Sequence, residues 1–222
     1  MFVHLNNVTL PELESVTTED GRTYTTPNGD VYDSVTTALG YKTKHKILEW
    51  RHRVGEAKAD LITKRASSRG SAMHNIIEEY LNNILDIKTH SSEVLAVFLF
   101  KFMSPYLDNI SNIQVLEGCL YSDILKIAGR VDCIADFEGE LAVVDFKSSI
   151  LPKQRDWIDH YFMQECVYAM MYYERTGIVV KKLVTIIACE DGQVQVFQEY
   201  DILKYMKLVI SHLNEYARYK SR

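Results

Sequence analysis

The sequence predicts an α/β protein with a central mixed β-sheet flanked by helices and an N-terminal helical elaboration. Helix-like segments dominate the first half, whereas three strands, a helix, two strands and a last helix follow in the second half. This order is typical of a sheet covered by helices. The 222 residues suit one domain, 1–222, which we expect to comprise a mainly helical part at 1–110 and a sheet core at 111–222.

The N-terminal half begins with short extended pieces joined by the turn sequence Pro27-Asn28-Gly29-Asp30. Ser34 is a candidate N-cap for a short helix that ends near Gly40. Further helices are predicted at 45–65, from 71 to about 85, and at 93–107. We expect Gly70 to interrupt the first two of these helices and to allow close backbone approach there.

The sheet core begins near residue 113, where β-branched and aromatic residues become dense. Strands are predicted at 113–121, 124–137, 141–147, 183–188 and 194–200. One apolar helix is predicted at 159–175, ending before Gly177, and an amphipathic helix at 202–219 closes the chain.

The charge distribution is uneven, although the net charge of −5 is modest. Nine basic and only three acidic residues lie between Lys42 and Arg69, so an otherwise acidic chain carries one basic stretch. A channel that binds phosphates and a solvated helix face both account for such a stretch. Charge alone does not separate these two interpretations.

Targeting and redox features predict a cytoplasmic protein that is not secreted. We recognise no signal-peptide core or transit peptide, and the longest apolar run, Val94 to Phe100, is far shorter than the ~20 residues of a membrane span. The four cysteines lack C-x-x-C spacing, which argues against a zinc site and an iron–sulfur cluster. We expect them to be buried free thiols.

A predicted β-hairpin brings two carboxylates and one amine together. If the chain turns at Glu138-Gly139, paired positions sum to 277 and Asp132 lies opposite Asp145, with Cβ atoms ~5 Å apart. Lys147 shares the face of Asp145, because side chains two apart on a strand point the same way. The opposite face is apolar and is formed by Val131, Cys133, Ala135, Phe137, Ala142, Val144 and Phe146.

Two adjacent carboxylates repel each other unless one keeps a proton or a cation lies between them. An ion with oxygen ligands, such as Mg²⁺, removes this conflict, and Lys147 can hold a water beside it. Phosphodiester hydrolysis needs such a metal-polarised water and neutralisation of the phosphate charge. The alternative is an ordinary Asp–Lys ion pair on a solvated face. The opposed Asp132 and the apolar residues before Asp145 favour the metal site.

Two further polar pairs lie at helical spacing. His74 and Glu78 share a helix face, and beside a carboxylate pair His74 is a candidate third ligand that accepts Mn²⁺ as well as Mg²⁺. We assign Glu78 to the helix surface. Gln164 and Tyr168 share a face of an otherwise apolar helix, so Gln164 needs a polar partner such as a phosphate, a metal-bound water or a backbone carbonyl.

Four motifs occur in order along the chain: Gly70-x-x-x-His74, Gly129-x-x-Asp132, Asp145-x-Lys147 and Gln164-x-x-x-Tyr168. Together they resemble the PD-(D/E)xK nuclease superfamily in its RecB-type exonuclease branch. The segment 32–37, Trp50-Arg51 and Arg69-Gly70 resemble most the mitochondrial genome maintenance exonuclease family with its phage and bacterial relatives. The resemblance covers about residues 22–177, with Asp33 where relatives usually have Pro and Ser148 where Thr is common.

The resemblance implies a restriction-endonuclease-like core and a metal-dependent DNA exonuclease that uses Mg²⁺ or Mn²⁺. The implied metal ligands are His74, Asp132, Asp145 and the backbone carbonyl of Phe146, with Glu117 either a further ligand or a strand-edge charge. Lys147 would position the attacking water, while Gln164 and Tyr168 would line the site near the phosphate. The implied nucleic-acid contacts are Lys58, Arg65, Arg69, Ser148 and, by stacking on a base, Trp50.

The sequence therefore predicts an exodeoxyribonuclease that prefers single-stranded DNA ends and serves replication, repair or recombination in a phage or bacterium. Replication or recombination proteins are the expected partners, and no membrane partner is expected. Two alternatives stay open. One is a structure-specific or sequence-specific endonuclease on the same fold, and the other is a catalytically inactive DNA-binding subunit whose hairpin charges are structural.

Overall fold

One mixed β-sheet of eight strands organises the chain in the computed structural model, which describes residues 1–5 and 7–221. The strands are β1 (Glu14–Thr18), β2 (Gly21–Thr25), β3 (Val31–Ser34), β4 (Ile110–Ser122), β5 (Ile127–Phe137), β6 (Glu140–Ser149), β7 (Lys182–Cys189) and β8 (Val194–Glu199). The helices are α1 (Val35–Gly40), α2 (Lys44–Val54), α3 (Glu56–Leu81), α4 (Val94–Leu107), α5 (Asp159–Thr176) and α6 (Ile202–Lys220). This architecture confirms the predicted α/β class with a central mixed sheet flanked by helices.

The sheet forks at β5. β4 pairs antiparallel with β5 along its length, so β3 and β6 share the other flank of β5. β3 pairs in parallel at Ile127 and Ala128, whereas the antiparallel pairing of β6 ends at Cys133↔Val144. Beyond that point β6 continues in parallel pairing with β7 as far as Ser149. The polar residues of both strand motifs therefore lie where β5 and β6 separate.

The β5–β6 hairpin has the predicted register. Phe137 pairs with Glu140, and paired positions sum to 277 as far as the last pair, Cys133↔Val144. The turn residues Glu138-Gly139 have φ values of 53° and 83°. Two consecutive left-handed residues match the right-handed twist of a two-residue hairpin, which fixes the register of both strands.

Two apolar layers cover the sheet, one on each face. The layer of α1, α5 and α6 includes Val35, Phe162, Met171 and Tyr205, packed with Ile134 and Val143 of the sheet. The layer of α3 and α4 includes Ile76, Ile77, Leu99 and Met103, packed with Cys133, Val144 and Phe146 of the sheet. Consecutive sheet residues thus enter opposite layers, as a pleated strand requires.

The predicted apolar face is wrong at Val131. Val131 packs in the layer of α5, whereas Cys133 packs in the layer of α3 and α4. A regular strand would direct these two side chains to the same face, so β5 changes phase at Asp132. Glu117 of the adjacent β4 has a left-handed φ of 48° and stands opposite Asp132, between regular ladder pairs on either side. The two strands share one local distortion, as at a β-bulge.

The predicted helix interruption at Gly70 is also wrong. α3 runs through Gly70 without a break, and the chain instead breaks at Gly55, where φ is 85°. A glycine costs the interior of a helix only ~1 kcal/mol. Burial of Met73 and Ile76 in the same helix offsets that cost, because each is fully buried in the layer under the sheet.

Smaller features of the chain agree with the sequence. Ser34 caps α1 by accepting a hydrogen bond from the N–H of Thr37 at 3.0 Å. The cysteines Cys119, Cys133, Cys166 and Cys189 are buried free thiols. The residues before 35 also contribute β1, β2 and β3 to the sheet. Within residues 1–5 and 7–221, no helix has the length and apolar character that crossing a bilayer requires.

Candidate functional site

Three carboxylates line up across neighbouring strands at the fork. Glu117 of β4 and Asp132 of β5 both lie between the ladder pairs Leu116↔Cys133 and Gly118↔Val131, and Asp145 of β6 directly follows Val144, the last residue of β6 that pairs with β5. The N–H of Phe146 donates a hydrogen bond of 2.9 Å to Oδ2 of Asp132. The Asp132 side chain thus spans the gap that opens where β5 and β6 stop pairing.

His74 reaches this row of carboxylates from α3. Its Nε2 lies 2.8 Å from the carbonyl oxygen of Phe146, so Nε2 is the donor in that hydrogen bond. Its Nδ1 lies 3.6 Å from Oε1 of Glu117 and 3.7 Å from Oδ1 of Asp132. One ligand atom from each of His74, Glu117 and Asp132 can be chosen so that all three lie within 4.8 Å of one another.

The surrounding charges control the protonation of His74. Burial alone would lower the pKa of the imidazole, but the carboxylates of Asp132 and Glu117 outweigh burial and raise the pKa to about 9. The imidazole is therefore a cation at neutral pH while no metal ion is bound. A divalent ion would take over the charge that this proton supplies.

Asp145 and Lys147 form a buried ion pair on the α5 side of the sheet. Asp145 is 2% exposed, and its Oδ2 contacts the Nζ of Lys147. Its Oδ1 accepts a hydrogen bond of 3.3 Å from Nε2 of Gln164. The Lys147 ammonium also lies 5.3 Å from the ring centroid of Tyr161. The ammonium and the amide together fix the orientation of the Asp145 carboxylate.

The pKa values of this pair are displaced by burial and by each other. Burial raises the pKa of Asp145 to about 6, against the opposing effect of the Lys147 ammonium. Burial also disfavours the charge on Lys147, but the carboxylates of Asp145 and Asp132 outweigh it and raise the pKa of Lys147 above its ordinary value. Lys147 is therefore protonated at neutral pH in the metal-free chain.

Tyr168 explains why a glycine stands at position 129. A Cβ atom added to Gly129 would lie 2.8 Å from the Tyr168 hydroxyl and 3.0 Å from its ring. Tyr168 itself is 4% exposed, and burial raises the pKa of its hydroxyl well above the ordinary value. Tyr168 therefore packs directly on β5 at Gly129, and its hydroxyl stays protonated.

The close backbone approach that the sequence predicted at Gly70 is not observed. A Cβ atom at Gly70 would meet nothing within 4 Å, so no neighbour of the described chain requires a glycine there. Gly70 lines the same cleft as His74, Glu117 and Asp132. The space above Gly70 is therefore part of the open cleft.

The donor set fits a hard divalent ion. Carboxylate oxygens with one imidazole are ligands that Mg²⁺ and Mn²⁺ accept, and the imidazole favours admission of Mn²⁺. Opposed carboxylates destabilise a sheet unless a positive charge compensates them. His74, Glu117 and Asp132 provide three converging donors, and Asp145 and the Phe146 carbonyl lie next to them through the backbone of Phe146. The residues present thus fit the metal that the sequence predicts.

The predicted nucleic-acid contacts are not equivalent in the structure. The Arg69 guanidinium already has two partners within the chain, because its Nε donates to Oγ of Ser148 at 3.1 Å and its Nη1 contacts Oε1 of Glu190. Lys58 and Arg65 are exposed on the N-terminal half of α3, outside the cleft, and Trp50 is half-buried on α2. These three residues are not brought into the cleft beside His74.

Four residues near the site were not predicted from the sequence. A cleft of about 360 Å³ contains Arg22 and Arg130 beside the carboxylates, and it also contains Glu78, which we had assigned to the helix surface. Glu165 is fully buried, accepts a hydrogen bond from Thr185, and has its pKa raised well above the ordinary value by burial. An acidic residue inside an apolar helix was the available signal for Glu165, whereas Arg22 and Arg130 follow only from the tertiary structure.

Comparison with known proteins gives relatives of one kind. Mitochondrial genome maintenance exonuclease 1 of Homo sapiens is 26% identical over 132 residues, which are 56% of this chain and 38% of the human protein. The Mus musculus protein of the same name is 29% identical over 108 residues, 47% of this chain and 32% of the mouse protein. No family model matches the chain. The matched regions span well under two thirds of the length of these relatives. The similarity to mitochondrial genome maintenance exonucleases that the motifs predicted is confirmed.

Solved structures also overlap this fold. The crystal structure of a protein named "putative exonuclease", from Eubacterium rectale, is 11% identical. The overlap covers 67% of this chain and 66% of that chain, with a TM-score of 0.46.

Proposed function

We propose that this relative of the mitochondrial genome maintenance exonucleases is a metal-dependent DNA exonuclease that prefers single-stranded ends. The observation that supports the proposal most is the convergence of His74, Glu117 and Asp132 next to the Asp145–Lys147 pair. A cation site beside a buried ammonium is suited to an anionic phosphodiester. The exonuclease names of the relatives agree with this chemistry.

His74, Glu117 and Asp132 would hold the metal, and Asp145 and the Phe146 carbonyl are the further ligands that the family resemblance implies. When bound, Mg²⁺ or Mn²⁺ supplies charge neutralisation at the phosphate and lowers the pKa of its water. The chain prepares the ligands in advance, since Asp132 is fixed by the N–H of Phe146 and His74 by the carbonyl of the same residue.

Lys147 contributes as a cation. Because its pKa is raised by the neighbouring carboxylates, its ammonium donates hydrogen bonds at neutral pH and can hold the attacking water and neutralise a phosphate oxygen. Asp145 keeps this ammonium in place, and Gln164 fixes Asp145 in turn. Tyr168, protonated and packed on Gly129, is a hydroxyl donor on the same side of the sheet.

The single strand would reach the cleft along α3. Lys58 and Arg65 are seven residues apart, so they share one helix face, and both are exposed. We assign phosphate contacts to these two residues and base stacking to Trp50. Arg69 has the different role of joining α3 to Ser148, the residue after Lys147.

Cleavage of end-labelled DNA tests the proposal. Linear single strands labelled separately at each end, and a circular single strand of the same sequence, are incubated with Mg²⁺, Mn²⁺ or EDTA. We expect product from the linear strands only, and none in EDTA. The Lys147→Met variant should lose at least about 100-fold in kcat because a transition-state charge loses its partner. Lys101→Met, at an exposed position on α4, is the matched control and should cleave normally.

The same assay separates the two alternatives. Cleavage of the circle would replace the exonuclease by an endonuclease on the same fold. Metal-dependent binding of DNA without any product, in wild type and in Lys147→Met alike, would indicate an inactive DNA-binding subunit. The cytoplasmic location, the phage or bacterial origin and the replication or recombination partners stay predictions of the sequence.

A further inference from the structure

Glu117 adopts a backbone conformation that a strand does not normally contain. Its φ is 48°, whereas Leu116 and Gly118 on either side form regular pairs with Cys133 and Val131. A left-handed residue other than glycine is costly and persists only when the surroundings support it. The distortion turns Glu117 out of the regular ladder.

The distortion is also what brings the Glu117 carboxylate to the site. Its Oε1 lies 3.6 Å from Nδ1 of His74, within the group of three candidate ligands. The next residue, Gly118, leaves no room for a side chain unless Val115 moves, because an added Cβ would lie 2.3 Å from Cγ1 of Val115. The local backbone at 115–118 is therefore closely specified around the candidate ligand.

Arg130 supports this conformation directly. Its Nη1 donates a hydrogen bond of 2.5 Å to the carbonyl oxygen of Glu117. Its Nη2 lies 3.4 Å from Oε2 of Glu12, and the side chain is 44% exposed. The guanidinium thus provides a partner for a carbonyl that the distortion turns away from the strand ladder.

We propose that Arg130 is a positioning residue, which holds the backbone of Glu117 so that its carboxylate completes the metal site. This inference rests on the proposed metal-dependent function. A cation beside a metal site opposes metal binding by charge alone. A positioning role and a purely electrostatic role therefore predict opposite effects when the charge of Arg130 is removed.

Arg22 provides a matched control. It lines the same cleft, but its Nε donates to Oγ1 of Thr17 at 3.1 Å and it has no hydrogen bond to Glu117 among the residues that the structure describes. Arg22→Gln removes the same charge from the same cleft without loosening the Glu117 carbonyl. Arg130→Lys keeps the charge and one donor while losing the planar fork.

The test measures Mn²⁺ affinity without DNA, from the electron paramagnetic resonance signal of free Mn²⁺. We expect Arg130→Gln to weaken binding about 10-fold or more, the usual effect of losing a residue that supports a ligand. Arg22→Gln should bind as wild type or tighter, and Arg130→Lys should fall between wild type and Arg130→Gln. In the Glu117→Gln background, Arg130→Gln should cause no further weakening of Mn²⁺ binding, because the positioned carboxylate is already gone.

Amide hydrogen exchange at residues 115–119 of the metal-free protein gives a second readout. Arg130→Gln should accelerate exchange there and Arg22→Gln should not. Equal or tighter Mn²⁺ binding by Arg130→Gln, or its full effect in the Glu117→Gln background, would overturn the inference. Unchanged exchange at residues 115–119 in Arg130→Gln would also overturn the inference, whatever the Mn²⁺ measurement shows. Absence of Mn²⁺ binding by the wild type is a separate outcome, which would remove the metal site of the proposed function.

Discussion

Substitution of the two motif glycines by alanine should change stability in opposite directions. At Gly129 the added Cβ would meet the Tyr168 hydroxyl at 2.8 Å and Cγ2 of Val35 at 3.2 Å. Both neighbours are buried, so one of them must shift by several tenths of an ångström. At Gly70 the same Cβ meets nothing within 4 Å in the middle of a helix.

The expected magnitudes follow from these contacts. Overpacking of this kind costs about 1–3 kcal/mol, or about 2–12 °C in Tm for a chain of this size. Gly70→Ala should instead stabilise by about 0.5–1 kcal/mol, because alanine loses less backbone entropy than glycine in a helix. Urea unfolding and thermal melts in EDTA measure both values without a contribution from bound metal.

A second substitution identifies the contact responsible. Tyr168→Phe removes the hydroxyl that lies 2.8 Å from the added Cβ, so it should recover part of the stability lost in Gly129→Ala. Gly70→Ala should nevertheless weaken DNA binding if the open space above Gly70 receives the substrate. A Gly129→Ala protein as stable as wild type, or a loss that Tyr168→Phe leaves unchanged, would refute the packing argument.

Three further predictions concern pH, salt and metal. Burial raises the pKa of Glu165 in the folded protein, so the stability that its neutral form provides is complete below its ordinary pKa of 4.5 and is lost as the pH rises towards the pKa in the folded protein. In thermal melts in EDTA, Glu165→Gln should therefore lose less stability than the wild type as the pH rises. Equal pH dependence of Tm in the two proteins would contradict this prediction. Replacing Lys58 and Arg65 by Gln should make the plot of log binding constant for single-stranded DNA against log salt concentration shallower by about 1.4. Lys207→Gln, at an exposed position on α6, is the control. An unchanged slope would mean that both charges are only solvated and do not contact phosphates. Mn²⁺ at about 100 times its Kd should stabilise the protein by about 2.7 kcal/mol, and a shift that survives in Asp132→Asn would exclude Asp132 as a ligand.

The parts of the fold that depend on local chemistry were predictable. The hairpin register followed from Glu138-Gly139, because a turn at these two residues together with the alternation of apolar residues fixes the pairing of the two strands, and both residues adopt the left-handed conformation of a two-residue turn. The sequence therefore predicted how the two strands pair as far as Cys133 and Val144, and the predicted pair of Asp132 with Asp145 lies one step beyond the observed ladder. The N-cap at Ser34 followed equally from a local hydrogen bond.

The parts that depend on tertiary contacts were not predictable. Gly55 and Gly70 both occur within a polar stretch of helix-forming sequence, but α3 continues through Gly70 because burial of its second half overrides the weak helix preference of that glycine, whereas the chain breaks at Gly55. The alignment of Glu117 with Asp132 requires a left-handed residue in a strand, which no local pattern signals. Arg130 belongs with Glu117 only through that distortion.

The fork in the sheet and the charges at the site explain each other. A row of carboxylates across three paired strands would be unfavourable in a continuous ladder, because like charges directly opposite each other repel. Where β5 and β6 separate, the backbone N–H of Phe146 becomes free to bind Asp132 and its carbonyl to bind His74, while Lys147 balances Asp145. The chain thus holds its acidic residues with its own cations and backbone dipoles, so the positions of the candidate ligands do not depend on an ion. If the proposed metal ion binds, it would replace the proton of His74 at positions that the chain has already formed.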